Sequence, residues 1–163
     1  MSHQPVIDGF EFASAGAQQQ GRMPISGFRR LRDQLASDHG EVEYAVRGVR
    51  DERGRPGLQL HVHGTLQLRC QRCLEPMAHE VDEEQVLVLA ATLEEIEADP
   101  TDTSAPDRVL GGKQMDLREL VEDQLILALP YAPRHAGCRP AGEVDDEGTA
   151  SPFAGLRGLL RKH

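Results

Sequence analysis

The stretch that decides the fold is Leu58-Gln59-Leu60-His61-Val62-His63-Gly64-Thr65-Leu66-Gln67-Leu68-Arg69. Leu58, Leu60, Val62, Leu66 and Leu68 fall on one parity, and Gln59, His61, His63, Thr65, Gln67 and Arg69 on the other. A period of two is strand spacing, with one face buried and one wet, as in an antiparallel sheet. Gly64 sits on the apolar parity, where it suggests a bulge. Upstream, Val42, Tyr44 and Val46 alternate with Glu43, Ala45 and Arg47, and residues 51–57 (DERGRPG) form a polar turn. The 42–49 and 58–69 segments therefore read as a hairpin. Downstream, Cys70 to Pro76 is a tight turn, and residues 77–90 return as a strand, apolar on both faces at Val86-Leu87-Val88-Leu89.

Farther out the period changes. Ser26 caps a helix running to about Asp38, with Phe28, Leu31 and Leu35 at helical spacing. Asp116 and Glu119 resemble a capping box for a second helix to about Leu129. Leu117, Leu120, Val121, Leu125 and Ala128 line its inner face, and Pro130 ends it. Residues 1–21 read as an extended lead-in. The expected fold class is α+β, an antiparallel sheet of three to five or more strands. Two main helices, 26–38 and 116–129, pack on one face, and a short helix follows at the C-terminus. Residues 1–140 form a single α+β domain with a mobile acidic loop near 92–112 and a further strand near 107–114. Residues 141–163 are an acidic linker and a short amphipathic tail carrying Phe153, Leu156, Leu159 and Leu160.

Composition narrows the function. Trp is absent and aromatics are 4% of residues, so the core is built from Leu, Val and Ala. A formal net charge of −9 argues against gripping phosphate backbones with the whole surface. The charge is unevenly spread: residues 1–72 sum to +2 and residues 73–163 to −11. Local basic patches at Arg22, Arg29, Arg30 and Arg32, or at Arg47, Arg50, Arg53 and Arg55, remain compatible with that, as do solvated surface arginines. No window approaches the ~18–20 apolar residues of a membrane span, and no basic-then-apolar signal opens the chain. A cytoplasmic location is expected, where cysteines are reduced thiols or metal ligands.

The one constellation with chemical content is Cys70-x-x-Cys73 with His135-x-x-Cys138, which uses all three cysteines. Three thiolates and one imidazole suit a closed tetrahedral zinc site with a structural role. The 61 residues between Cys73 and His135 exceed the spacing of common zinc modules, so three idle thiols and a surface His stay open as an alternative. A redox role for Cys-Gln-Arg-Cys is a further alternative. Such pairs usually open a helix, whereas Glu75 and the acidic run from Glu80 follow here and raise thiol pKa values. His61 and His63, two apart on the wet face, could be a metal pair or an interaction surface. No phosphate-cradling glycine loop or catalytic triad is visible, so an enzyme is not expected.

Three stretches carry a family resemblance. Gly64 to Pro76, ending Cys70-Gln71-Arg72-Cys73-Leu74-Glu75-Pro76, is similar to a strand plus a C-x-R-C-L-x-P turn. Asp116 to Pro130, with His135 and Cys138 behind it, is similar to a D-L-x-x-L-V-E-D-x-x-x-L-A-L-P helix and its trailing His and Cys. Ser151-Pro152-Phe153-Ala154-Gly155-Leu156 is similar to an N-P-F-A-x-L ending. In this order they resemble the YceD family, the bacterial "large ribosomal RNA subunit accumulation" proteins. The resemblance implies a non-enzymatic ribosome-biogenesis factor supporting 23S rRNA accumulation and large-subunit assembly. The implied partners are the large-subunit precursor, 23S rRNA or a basic ribosomal protein, with no membrane and no small-molecule substrate. The acidic balance favours a basic protein as the direct partner. The alternative is a direct RNA-binding zinc protein using arginines 29–55 with Arg69 and Arg72. A thiol redox protein is more distant.

Overall fold

The computed structural model describes residues 5–98 and 105–142. Its elements are β1 (Val6–Ile7), α1 (Gly9–Ser14), β2 (Gln18–Pro24), β3 (Leu35–Ser37), β4 (Glu41–Arg50), β5 (Pro56–Arg69), β6 (Pro76–Ala90), α2 (Leu93–Ala98), β7 (Asp107–Leu110), β8 (Met115–Asp116) and α3 (Leu117–Ala128). Strands β2-β4-β5-β6-β7 lie side by side, and β3 continues the line of β4 along one edge of β5. All pairs in this sheet are antiparallel except β6–β7, which is parallel. A two-stranded clip, β1 with β8, ties the N-terminal segment to the start of α3.

The decisive stretch behaves as its alternation predicts. Leu58, Leu60, Val62, Leu66 and Leu68 are fully buried, while His61, His63, Thr65 and Arg69 are exposed. Val42, Tyr44 and Val46 of β4 join them from the neighbouring strand. Gly64 is no bulge, because its pairing with Val42 and Val81 continues the register on both sides. A Cβ there would stand 2.8 Å from Val42 Cγ1, so glycine lets the strands pack closely. At Gly48 a Cβ would stand 2.3 Å from the Phe12 carbonyl oxygen, because α1 crosses β4 directly over it.

The fold class needs correction. The protein is mostly β, and among the described residues α3 is the only helix of more than six residues. Two main helices on a sheet are not present. The segment expected as helix 26–38 contains two single 3-10 turns, Ile25–Gly27 and Arg32–Gln34, and then β3. Phe28 and Leu31 are fully buried, so the apolar spacing is real, but the backbone bonds elsewhere. Buried Glu122 of α3 accepts from the N–H groups of Arg30 at 2.6 Å and Leu31 at 3.1 Å. A side chain thus takes donors that a helix would commit to its own carbonyls.

Residues 1–21 are likewise not simply extended. Asp8 caps α1 by accepting from Glu11 N–H at 3.0 Å, and β2 begins at Gln18. Within 92–112, α2 and β7 form, and residues 99–104 lie outside the described residues. The expected C-terminal tail also lies outside them. One continuous core joins the inner sheet face, α1, α3 and Ile25, Phe28 and Leu31.

Candidate metal centre

Strand pairing builds the first half of the site. Arg69 pairs with Pro76, so Cys70 to Glu75 form the tip of the β5–β6 hairpin. The tip closes on itself: Leu74 N–H donates to the Cys70 carbonyl and Cys70 N–H to that of Glu75, both at 3.0 Å. Leu74 adopts φ +64°, which turns the chain back into β6.

The second half arrives from α3. Leu129 leaves the helix in an extended conformation, and Pro130 follows it. The loop then lies along the hairpin tip. Gln71 N–H donates to the Pro133 carbonyl at 2.8 Å, Ala141 N–H to that of Arg72 at 3.0 Å, and Arg72 Nη1 to that of Cys138 at 3.1 Å. These bonds bring His135 and Cys138 to the two hairpin cysteines across the long intervening sequence.

The four expected ligands converge: one ligand atom from each of Cys70, Cys73, His135 and Cys138 lies within 4.8 Å of all the others. Cys70 Sγ stands 3.6 Å from Cys138 Sγ, and Cys73 Sγ stands 3.3 Å from His135 Nδ1. A tetrahedral ion with metal–sulfur bonds of ~2.3 Å spaces its sulfurs by about 3.8 Å, so these separations suit one ion. His135 Nε2 lies 3.1 Å from the Pro76 carbonyl. If it donates there, its proton is held at Nε2 and the Nδ1 lone pair faces the three sulfurs, the usual outer support of a metal-bound imidazole. Cys70 is buried and the other three are half-buried.

Electrostatics agree with a cation-seeking cluster. Burial pushes the Cys70 thiol up, but backbone hydrogen bonds from Cys73, His135 and Arg72 outweigh it and bring it down to about 5. The acidic run from Glu80 therefore does not set this thiol, contrary to the sequence expectation. Cys138 is pushed up by burial first, then by its contacts with Cys70 and Cys73. Adjacent thiolates repel one another, and a bound cation removes that penalty. Redox exchange fits less well, since Cys70 is enclosed and the pair opens no helix.

The other candidates resolve differently. His61 Nε2 bonds Asp82 at 2.6 Å on the sheet's polar face, and His63 Nδ1 lies 3.9 Å from the same carboxylate, too far for a hydrogen bond. Several arginines of the proposed basic patches face carboxylates: Arg22 on Glu43, Arg30 on Glu122 and Asp123, Arg55 on Asp51. Sequence reasoning placed Arg72 at the metal turn but missed its bond to the Cys138 carbonyl, and it missed Pro76 as a partner of His135, although both stand inside the quoted turn motif. It also missed Glu122, whose only sequence signal was an acid on the apolar side of a helix.

Fold and site together define a mostly β protein that carries a Cys3His cluster where a hairpin tip meets the loop behind its main helix. This chain belongs to the YceD family, "Large ribosomal RNA subunit accumulation protein YceD", whose family model matches residues 58–160. The match spans both halves of the cluster. The family's description connects it with accumulation of large-subunit ribosomal RNA. No solved structure matches the chain. Among the described residues no helix is long and apolar enough to cross a membrane.

Proposed function

We propose that the protein is a non-enzymatic, cytoplasmic assembly factor of the large ribosomal subunit, and that Cys70, Cys73, His135 and Cys138 hold a structural zinc ion. The convergence of three thiol sulfurs and an imidazole nitrogen within 4.8 Å, from segments far apart in sequence, carries the zinc reading. Three thiolates and an imidazole fill all four tetrahedral positions and leave none for substrate, the pattern of a structural site. The ion would pin the loop behind α3 to the hairpin tip.

The family supplies the ribosomal role. The partner is the large-subunit precursor, through 23S rRNA or a basic ribosomal protein. Glu80, Asp82, Glu83 and Glu84 are exposed on β6 and give the sheet an acidic stretch suited to a basic protein.

The test is zinc content of the purified, reduced protein with a thiol count before and after chelation. One zinc per chain, with three thiols protected until chelation, is expected. Metal-free protein with three freely reactive thiols would remove the zinc reading. Co-sedimentation with large-subunit precursors in cell extract tests the ribosomal role separately.

A further inference from the structure

The metal-bearing loops differ in charge from the rest of the molecule. Residues 69–76 and 130–142 contain Arg69, Arg72, Arg134 and Arg139 against a single acid, Glu75, in a chain of net charge −9. All four arginines are exposed. A Cys3His zinc centre carries one negative charge (three thiolates against a divalent ion), so the tip stays positive when filled. Arg72 bonds the Cys138 carbonyl, a contact that orients the guanidinium without neutralising it.

An aromatic ring stands in the same place. Tyr131 is fully exposed, so its ring is open to a stacking partner. It sits between Pro130 and Pro133 in a loop bonded to the metal turn through Gln71, so its backbone is already constrained. Tyr131, Arg69 and Gln71 border one recess of about 170 Å³, which Asp33 also lines. That volume is well below the roughly 300–1,000 Å³ of a pocket for a drug-sized ligand.

We infer that this tip is a contact surface for single-stranded or looped RNA, with a base stacked on Tyr131 and phosphates held by Arg69, Arg72 and Arg134. Exposed aromatics beside guanidinium groups are the common means of holding unpaired RNA, because every base has a face to stack and every nucleotide a phosphate. A basic protein partner is disfavoured here by like charge. The inference deepens the assembly-factor reading and rests on it for the choice of RNA over DNA. The zinc ion touches no RNA in this arrangement. It holds the Pro130–Pro133 platform against the hairpin.

The test uses the full, zinc-loaded chain and a fluorescently labelled, unstructured RNA of twelve nucleotides, read by anisotropy over a range of NaCl. Zinc content and thermal midpoint are recorded for every variant. The logarithm of affinity is expected to fall with the logarithm of salt with a slope of about −2 to −3, at ~0.7 per phosphate held on a single strand. Tyr131→Ala is expected to weaken binding by about five- to a hundredfold, the range of one lost stacking contact, and Tyr131→Phe to restore it. Arg69→Ala with Arg134→Ala is expected to reduce the slope by about 1.4, while Arg22→Ala on the sheet leaves both quantities unchanged. Tip variants that keep zinc and bind RNA like the parent would overturn the inference. So would polyglutamate that binds as tightly as RNA and ignores Tyr131→Ala, since the tip would then be a dock for acidic protein. Tip variants that lose RNA binding but still co-sediment with large-subunit precursors support it. A parent protein that fails to bind RNA but still co-sediments rejects this inference alone, and a parent that does not co-sediment rejects the broader role.

Discussion

Leu74 is the one non-glycine residue at positive φ among the described residues, at +64°. The left-handed conformation brings Cβ against the backbone and costs about 1 kcal/mol or more. The side chain is 53% exposed, so burial recovers little of that. Leu74→Gly is expected to stabilise the protein by about 0.5–1 kcal/mol, offset in part by the freer unfolded chain. A thermal midpoint that fails to rise would mean that the Leu74 side chain contributes as much as its backbone loses. At this scale the sequence was most legible. The Cys-x-x-Cys spacing announces a turn with converging sulfurs, and His135-x-x-Cys138 is the second pair of soft ligands in the chain. The Pro76 carbonyl beside His135 could not be read, because a backbone acceptor is supplied by every residue and only the fold selects one.

At the scale of elements, strands were readable and helices less so. A period of two along β4 and β5 needs only local sequence, since each side chain's face follows from its own parity. The segment 26–38 shows the limit. Phe28 and Leu31 are three apart, a spacing that serves an α-helix, a 3-10 turn or an irregular strap equally well, and the choice is made by Glu122 from 91 residues away. Glu122→Ala is expected to cost about 3 kcal/mol, by leaving two backbone donors without their acceptor. Glu122→Gln, which keeps one oxygen, is expected to cost about half as much. Urea midpoints of the two variants check this, and equal losses would place the effect in the charge, with Arg30, instead of in the acceptor. The short helix α1 did carry a signal, an Asp8-x-x-Glu11 capping pair, hidden by the strand-like Phe10-x-Phe12 beside it.

The β4–β5 turn makes a prediction about pH. Asp51 accepts from the backbone N–H of Arg53 and Arg55 and from Arg55 Nε. Burial pushes its carboxyl up, but the hydrogen bonds from Arg55, then Arg53, outweigh that and hold it below its ordinary value of 3.8. A depressed folded pKa contributes stability that is fully present above the unfolded value and lost as pH falls through the folded one. The stability advantage of the parent over Asp51→Asn is therefore expected to be constant above about pH 5 and to shrink below about pH 4. A thermal-midpoint gap that persists unchanged to about pH 2 would sink this account.

At the scale of the molecule, an acidic stretch and the basic tip lie on different parts of one sheet: Glu80, Asp82, Glu83 and Glu84 along β6, the arginines where β6 begins and the loop behind α3 meets it. That separation was invisible in a running sum of charge, because the tip draws its residues from two distant segments. The same distance has a consequence for the order of events as the chain is made. Sixty-one residues separate Cys73 from His135, and until that stretch has been synthesised Cys70 and Cys73 are half a site. All of β4, β5 and β6 precede α3, so the sheet can form while the centre is still incomplete. A chain ending at residue 130 is expected to leave both of its thiols reactive at zinc concentrations that protect the full chain, because two ligands hold the ion far more weakly than four. Full protection of that shortened chain would refute the idea. On this reading the metal is the last piece fitted, a latch that closes only on a polypeptide grown past residue 138.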